Sequence, residues 1–279
     1  MMEINFTGIF ALIMVLAFFA EYVDSSLGMG YGTTLTPVLL LLGYEPMQIV
    51  PAVLLSELVT GLLAGILHHN VGNAELLPRN FSFNKITASI KNNGIRKSFN
   101  KNCPLHLKIA LVISSCSILG TLAAVLLAVN IPTLWLKLYI GVMVLAIGIV
   151  ILLSSRKKQS LSWRRITALG LVASFNKGLS GGGYGPVVTG GQILAGVEGK
   201  SAVAITSLSE GLTCLVGVIL YCMTRGSVDW TLAPYLAIGS VLSVPFAALT
   251  VKHIKTEYLK WFIGAATLLL GSATLIRAI

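Results

Sequence analysis

Residues 24–32 are DSSLGMGYG, and residues 177–185, which lie 177 − 24 = 153 positions further along the chain, are KGLSGGGYG. The same offset takes Ser56-Glu57 to Ser209-Glu210 without a gap. Shared apolar composition would align leucines by chance, but it does not readily align glycines, a tyrosine and a glutamate in one register. The sequence therefore predicts an internal duplication. The predicted membrane repeats are residues 1–153 and residues 154–279.

The composition of the chain indicates a membrane protein. Of its 279 residues, 55% are hydrophobic and only 11% are charged, whereas a soluble domain carries about 25% charged residues. Apolar runs of roughly 20 residues can cross the hydrocarbon core, and the runs in this chain do not alternate as barrel strands would. We therefore predict an all-α polytopic membrane protein whose first helix is retained. The clearest apolar runs are 4–22, 48–69, 105–129, 134–153, 230–250 and 261–276.

Each half is predicted to contain about five helical elements. The second half is shorter because it lacks the stretch 78–102, which carries Lys and Arg among Asn and Ser. This stretch is expected to be a basic cytoplasmic insertion. The predicted elements are 4–27, 31–42, 47–69, 105–129 and 132–153 in the first half, and 163–180, 184–195, 200–222, 230–250 and 258–277 in the second half.

The net charge of +10 comes from Lys and Arg clustered in loops, which is typical of the positive-inside rule rather than of nucleic-acid binding. Loops 70–104, 154–165 and 251–260 are therefore expected in the cytoplasm, with both termini outside. An odd number of crossings per half would invert the second half relative to the first, which is the arrangement of many secondary transporters. The sequence leaves open whether the short elements 31–42 and 184–195 span the membrane or re-enter it.

The two glycine-rich stretches predict helix breaks at membrane depth. The element 31–42 gives about 12 helical residues, or roughly 18 Å, which is about half of the hydrocarbon thickness. Unwound backbone at that depth must be buried in protein or line a cavity. A helix that begins there directs free N–H groups and its positive dipole end into that space, which suits an anion. The alternative is that the glycines only allow close packing of helices.

The candidate substrate-binding residues lie in and beside these breaks. They are the glycines and tyrosines of the breaks, the neighbouring neutral polar side chains, and two oppositely charged residues at equivalent positions, Asp24 and Lys177. Lys177 is expected either to attract an anion or to form an ion pair with Asp24. The full set is Asp24, Ser25, Ser26, Gly28, Gly30, Tyr31, Gly32, Thr33, Asn176, Lys177, Ser180, Gly181, Gly182, Gly183, Tyr184 and Gly185.

Two glutamates, Glu57 and Glu210, lie in the middle of the predicted long helices 47–69 and 200–222. A carboxylate near the bilayer midplane is costly and is a functional candidate. Each is predicted either to carry a coupling proton or to accept hydrogen bonds from the unwound glycine N–H groups. His68 and His69 are expected at the membrane interface rather than as metal ligands. The sequence contains no recognisable catalytic set, metal site or cofactor motif, so we expect neither an enzyme nor a bound cofactor.

At the two glycine-rich stretches the chain resembles the sulfite exporter TauE/SafE family. The resemblance implies a multi-pass plasma-membrane protein that moves small sulfur-containing or organic anions, with the glycine loops as the substrate region. The chain departs from the family pattern at Met29 and Tyr31, which interrupt what is often a continuous glycine run. The basic insertion 78–102 also looks atypical of the family.

These observations favour a secondary transporter that moves a small anion, such as sulfite or a related sulfonate, across the plasma membrane. The resemblance implies export, and Glu57 or Glu210 would couple transport to protons. Two alternatives remain open. One is a cation- or proton-linked carrier that uses Asp24, Glu57 and Glu210 as ligands. The other is a non-transporting membrane scaffold whose basic loop recruits partners or anionic lipids.

Overall fold

The computed structural model describes residues 6–77, 103–153, 162–195, 197–226 and 228–251, together with 265, 268–269 and 271–276. The described residues form helices and contain no strand. The basic insertion 78–102, the loop 154–161 and most of the predicted last helix lie outside the described residues. The helices are α1 (Phe6–Leu27), α2 (Tyr31–Leu41), α3 (Pro46–Val71), α4 (Leu105–Ala128), α5 (Thr133–Leu153), α6 (Trp163–Ser180), α7 (Tyr184–Leu194), α8 (Gly199–Arg225) and α9 (Ala233–Thr250).

The helices have the length and the surface of membrane spans. Five of them are long and apolar enough to cross a membrane: α1, α3, α4, α8 and α9. Their large apolar side chains point outward, since Phe19 is 61% exposed, Leu119 68% and Met223 78%. Polar side chains such as Ser56 and Thr213 are instead fully buried. This distribution suits a lipid environment, and the predicted fold class, an all-α multi-pass membrane protein, is confirmed.

The helix ends follow local sequence signals. Proline is well placed in the first turn of a helix, and Pro46 is the first residue of α3. There the side chains of Glu45 and Gln48 form a capping box. Helix α9 begins at Ala233 rather than at the predicted 230, because Asp229 Oδ1 accepts hydrogen bonds from the backbone N–H and the hydroxyl of Thr231 (2.9 and 2.5 Å) and forms a turn. The break elements α2 and α7 begin at the predicted residues.

The long helices pack in pairs that cross between the two predicted halves. Helix α3 packs against α8, α1 packs against α9, and α4 packs against α6. Small residues allow these close approaches: a methyl group on Gly61 would lie 2.8 Å from the backbone of Gly211, and one on Gly120 would meet Ser174. The fourth helix of each half, α4 or α9, thus lies on the first helix of the other half. The pairing is therefore symmetric: α4 of the first half packs on α6 of the second, and α9 of the second half packs on α1 of the first.

Candidate functional site

Both predicted breaks are present, and each is made by glycines in a left-handed conformation. Helix α1 ends at Leu27 and α2 begins at Tyr31, with φ of 68° at Gly28 between them. Helix α6 ends at Ser180 and α7 begins at Tyr184, with φ of 73° at Gly181, the equivalent residue. Side chains with a Cβ rarely adopt such angles. The equivalent glycines therefore end equivalent helices in the same way.

The two breaks lie directly against each other. A Cβ added to Gly32 would overlap the carbonyl of Gly181, and one added to Gly185 would overlap the carbonyl of Gly28. A Cβ added to Gly182 would lie 2.8 Å from the carbonyl carbon of Gly32. There is no room for a methyl group at these contacts, so the glycines provide close packing of backbone on backbone. An anion can occupy the space between the breaks only if they separate.

Two equivalent threonines flank these contacts, and they differ in hydrogen bonding. Thr189 on α7 donates to the carbonyl of Gly28 (2.7 Å) and lies 2.8 Å from the hydroxyl of Thr206. Thr36 on α2 faces Gly181, 3.1 Å from where a Cβ would stand, and its buried hydroxyl has no hydrogen-bond partner within the described residues. The threonine hydroxyl at the first break therefore has a hydrogen-bond partner, whereas the threonine hydroxyl at the second break has none among the described residues.

The N-termini of the two short helices are also capped differently. Asp24 Oδ1 accepts a hydrogen bond from the backbone N–H of Tyr31 (3.2 Å), the first residue of α2. This places a carboxylate at the positive end of that helix. The residue equivalent to Asp24 is Lys177, which cannot cap α7. The hydroxyl of Ser180 accepts a hydrogen bond from the N–H of Gly182 (3.1 Å), which lies within the break, two residues before α7.

Lys177 lies between the two membrane glutamates. Its amine forms ion pairs with Glu57 Oε2 and with Glu210 Oε1, the latter at 2.7 Å. The lysine is 1% exposed, and the two glutamates are 2% and 4% exposed. The sequence left open whether Lys177 pairs with Asp24, and the structure instead pairs it with Glu57 on α3 and Glu210 on α8. We call Glu57, Lys177 and Glu210 the charged triad.

Each break tyrosine enters a hydroxyl network that joins both halves. The Tyr31 hydroxyl lies 2.7 Å from Ser56 Oγ, which lies 2.8 Å from Ser240 Oγ on α9. In the second half, Thr213 Oγ1 on α8 lies 3.2 Å from the Tyr184 hydroxyl and 2.8 Å from Ser117 Oγ on α4. The exchanged helices α9 and α4 thus tie each break to the opposite half.

The remaining predicted residues border the breaks, and several serve local structure. Thr33 Oγ1 donates to the Gly30 carbonyl (3.1 Å) within the first turn of α2. Asn176 Oδ1 accepts from the Tyr139 hydroxyl of α5 (2.6 Å). Gly183 precedes α7 with φ of 78°. The buried hydroxyl of Ser26 has no partner within the described residues.

Sequence reasoning missed part of the site. The sequence did not predict that His68 is fully buried within the protein. Its Nε2 lies 3.0 Å from the Ser25 carbonyl, and its Nδ1 lies 2.9 Å from Asn73 Nδ2. The position of His68 at the end of an apolar helix gave no indication that it packs against the first break. Glu21, whose position one turn before Asp24 on α1 suggested the edge of the site, also contacts the first break, because its carboxylate accepts a hydrogen bond from Ser25 Oγ (2.6 Å).

The buried ionisable groups carry an excess of carboxyls. Among the described residues, the buried carboxyls are those of Glu21, Asp24, Glu57 and Glu210, and the buried lysine is Lys177. Uncompensated charge at membrane depth is costly, so these carboxyls cannot all be ionised at once without another cation or proton. Within the described residues, no group of three or more His, Cys, Asp or Glu side chains is arranged to hold a metal ion.

Comparison with known proteins identifies the family of this chain. Residues 84–274 match the sequence model of the family described as sulfite exporter TauE/SafE. The chain is 27% identical over 283 aligned residues to a probable membrane transporter protein, YtnM, of Bacillus subtilis (strain 168), covering 96% of this chain and 82% of that protein. No solved structure matches the chain. The chain therefore belongs to the sulfite exporter TauE/SafE family, and it is a multi-pass membrane transporter of a small molecule rather than an enzyme.

Proposed function

We propose that this transporter moves a small anion, of the class of sulfite or a related organosulfur anion, out of the cell, and that it takes up a proton as the anion binds. The observation that carries the proposal is the charged triad, in which the buried Lys177 is held by two buried carboxylates beside the breaks. The description of the family as sulfite exporters supports the substrate class and the direction.

The charge of the triad explains why an anion would need a proton. With all three groups ionised, the triad carries a net charge of −1 and repels an anion, and the interaction is strong in a medium of low dielectric constant. Protonation of one glutamate makes the triad neutral and leaves an N–H of the lysine free. Protonation of both gives a net charge of +1. Anion binding is therefore favoured as protons are taken up.

Glu57 is a better acceptor for this proton than Glu210. Its Oε2 pairs with Lys177 and lies 3.8 Å from the Cys214 thiol, while its Oε1 is buried without a hydrogen-bond partner among the described residues. An unpaired buried carboxylate oxygen costs free energy, and a proton there removes the charge that creates the cost. We therefore assign the coupling proton to Glu57, with Glu210 keeping the lysine in place.

The closed contact between the breaks implies an alternating-access cycle. In the described conformation, Gly32 and Gly185 leave no space for a ligand between the breaks. The pairing of helices is the same when the halves are exchanged, which supports two inverted repeats that move against each other. Separation of the breaks would expose the triad and the unpaired hydroxyl of Thr36 to the anion.

The alternative of a cation carrier has less support from this geometry. Asp24 caps helix α2, while Glu57 and Glu210 both face Lys177. Each of the three carboxyls is thus engaged by a backbone N–H or by Lys177, and the three do not converge on one empty space. The alternative of a non-transporting scaffold does not agree with the transporter family.

A flux assay in proteoliposomes tests the proposal. The purified full-length protein is reconstituted, and the release of sulfite, thiosulfate, sulfate and small sulfonates is measured with and without a pH gradient. We expect flux of at least one small sulfur anion, accelerated when the compartment that contains the anion is acidic. Flux of none of these anions, or anion flux that does not respond to the pH gradient, would contradict the proposal.

A further inference from the structure

We propose that Glu21, which is not part of the charged triad, is a second proton-binding carboxyl of the transport cycle. Glu21 lies in the last two turns of α1 and is 2% exposed. Glu57 and Glu210 share a lysine, but Glu21 has no ion pair in the part of the chain that the structure describes. Both of its oxygens instead meet hydroxyls. This inference rests on the proposed function for the role of the proton, but the binding of a proton can be tested separately.

The hydrogen bonds around Glu21 fit both of its protonation states. Ser25 Oγ donates to Oε1 at 2.6 Å, and Thr60 Oγ1 donates to Oε2 at 3.1 Å. Thr60 Oγ1 also lies 3.2 Å from the carbonyl of Ser56. When Glu21 is ionised, the Thr60 hydroxyl donates to it. When Glu21 is protonated, the same hydroxyl can turn to the Ser56 carbonyl and accept from the carboxyl. Neither state leaves a buried polar group unpaired, which is the usual cost of such a change.

The second half shows that the fold does not need a carboxyl at this position. The residue equivalent to Glu21 is Ser174 (21 + 153), whose hydroxyl, within the part of the chain that the structure describes, bonds to the Leu171 carbonyl of its own helix (3.0 Å). The residue equivalent to His68 is Tyr221, and both contact a backbone carbonyl of the first helix of their half. Tyr221 donates to the carbonyl of Gly178 (2.8 Å), and His68 Nε2 lies 3.0 Å from the carbonyl of Ser25, the residue equivalent to Gly178. The first half therefore has an ionisable side chain, Glu21, at a position where the second half has a neutral serine.

The position of Glu21 connects it to the triad and to the protein surface. Thr60, which donates to the Glu21 carboxylate, lies one helical turn after Glu57 on α3. The contact of Glu21 with α3 is therefore a single turn away from the carboxyl of Glu57. On the other side, His68 and Asn73 lie next to the exposed end of α3 at Gly72. Helix α9 carries no Asp, Glu, Lys, Arg or His. The titratable groups that face this region are Asp24 on α1, Tyr31 on α2, Glu57 and His68 on α3, and Glu210 on α8.

Infrared difference spectroscopy of the purified full-length protein, recorded as a function of pH, measures the protonation of Glu21 directly. The Glu21→Gln variant should lose one titrating carboxyl band that the wild type shows, and the Glu75→Gln variant, which removes an exposed glutamate, should retain it. Glu21→Ser, which introduces the residue of the second half, should lose the same band and gives a second fold-compatible variant. Identical bands in wild type and Glu21→Gln would overturn the proposal, as would a band that responds to sodium and not to pH.

A flux experiment tests whether this proton takes part in transport. In proteoliposomes, Glu21→Gln should lower the ratio of proton-driven anion flux to anion exchange by about fivefold or more, the lower end of typical coupling between two sites. Thr60→Val should lower this ratio as well, whereas Thr224→Val, which removes an exposed hydroxyl at the end of α8, should not. An unchanged ratio in Glu21→Gln would overturn the role in transport. If the wild type moved no anion at all, the proposed function would fail, while the infrared titration would still decide whether Glu21 binds a proton.

Discussion

At the scale of single residues, Lys177 determines the electrostatics of the site. It is almost fully buried, and it neutralises part of the charge of Glu57 and Glu210. Removal of one partner of a buried ion pair leaves an uncompensated charge, which typically costs 3–5 kcal/mol. An exposed pair contributes much less because water and salt screen it. The protein contains both kinds of pair, since Lys137 and Glu45 form an exposed one at 3.0 Å.

Lys177→Met should therefore lower the free energy of unfolding by about 3–5 kcal/mol, whereas Lys137→Met should lower it by at most about 1 kcal/mol. The triple variant Glu57→Gln, Lys177→Met, Glu210→Gln should recover most of the loss, because it leaves no buried charge in the triad. Denaturant unfolding in mixed micelles measures all three. A Lys177→Met protein as stable as Lys137→Met would mean that the triad is not charged in the folded state.

At the scale of helices, the breaks are held together by the glycines that face each other. A methyl group at Gly32 or Gly185 would overlap the backbone of the opposite break, whereas a methyl group at Gly190 in α7 would meet nothing within 4 Å. Overpacking of a close contact typically costs about 1–3 kcal/mol. An alanine in an open helical position instead stabilises by up to about 1 kcal/mol relative to glycine.

Gly32→Ala and Gly185→Ala should therefore lower the melting temperature of the purified protein, and Gly190→Ala should leave it equal or raise it. The comparison is matched, because all three changes add one methyl group to a short break helix. Equal melting temperatures for Gly32→Ala and Gly190→Ala would show that the breaks are already apart in the resting protein.

The sequence predicted the helices and both breaks well, because their signals are local. Glycine density and proline positions placed the starts of α2 and α7, and the offset of 153 residues paired Glu57 with Glu210. The partners of Lys177 could not be predicted, since they depend on how α3, α6 and α8 approach one another. The burial of His68 was missed for the same reason. The exchange of α4 and α9 between the halves is likewise a property of non-local packing.

At the scale of the whole molecule, the inverted repeat predicts on which side of the membrane each loop lies. The distribution of Lys and Arg predicts that the loop that contains Glu75 lies in the cytoplasm and that the loops that contain Asn130 and Asp229 lie outside. Exposed residues in these loops, such as Glu75 and Asn130, offer positions for labelling. The same prediction requires the equivalent ends of α3 and α8 to lie on opposite faces.

A membrane-impermeant maleimide tests this topology in a variant without native cysteines. Glu75→Cys should be labelled only in inside-out vesicles, whereas Asn130→Cys and Thr224→Cys should be labelled in intact cells. Detergent-solubilised protein, in which all three positions react, is the control. Labelling of Glu75→Cys and Thr224→Cys from the same side would contradict the inverted repeat.

The central claim is that protonation of Glu57 releases Lys177 for the anion, and the pH dependence of anion binding tests it most directly. Linkage to one proton raises the apparent affinity by up to about tenfold for each unit by which the pH falls. The anion identified by the flux assay is titrated by calorimetry into wild type and Glu57→Gln over a range of pH, with Glu75→Gln as the control. We predict that affinity rises toward acid pH in wild type and in the control, and that Glu57→Gln binds with little dependence on pH. A wild type whose affinity is independent of pH, or a Glu57→Gln variant with the full pH dependence, would contradict it.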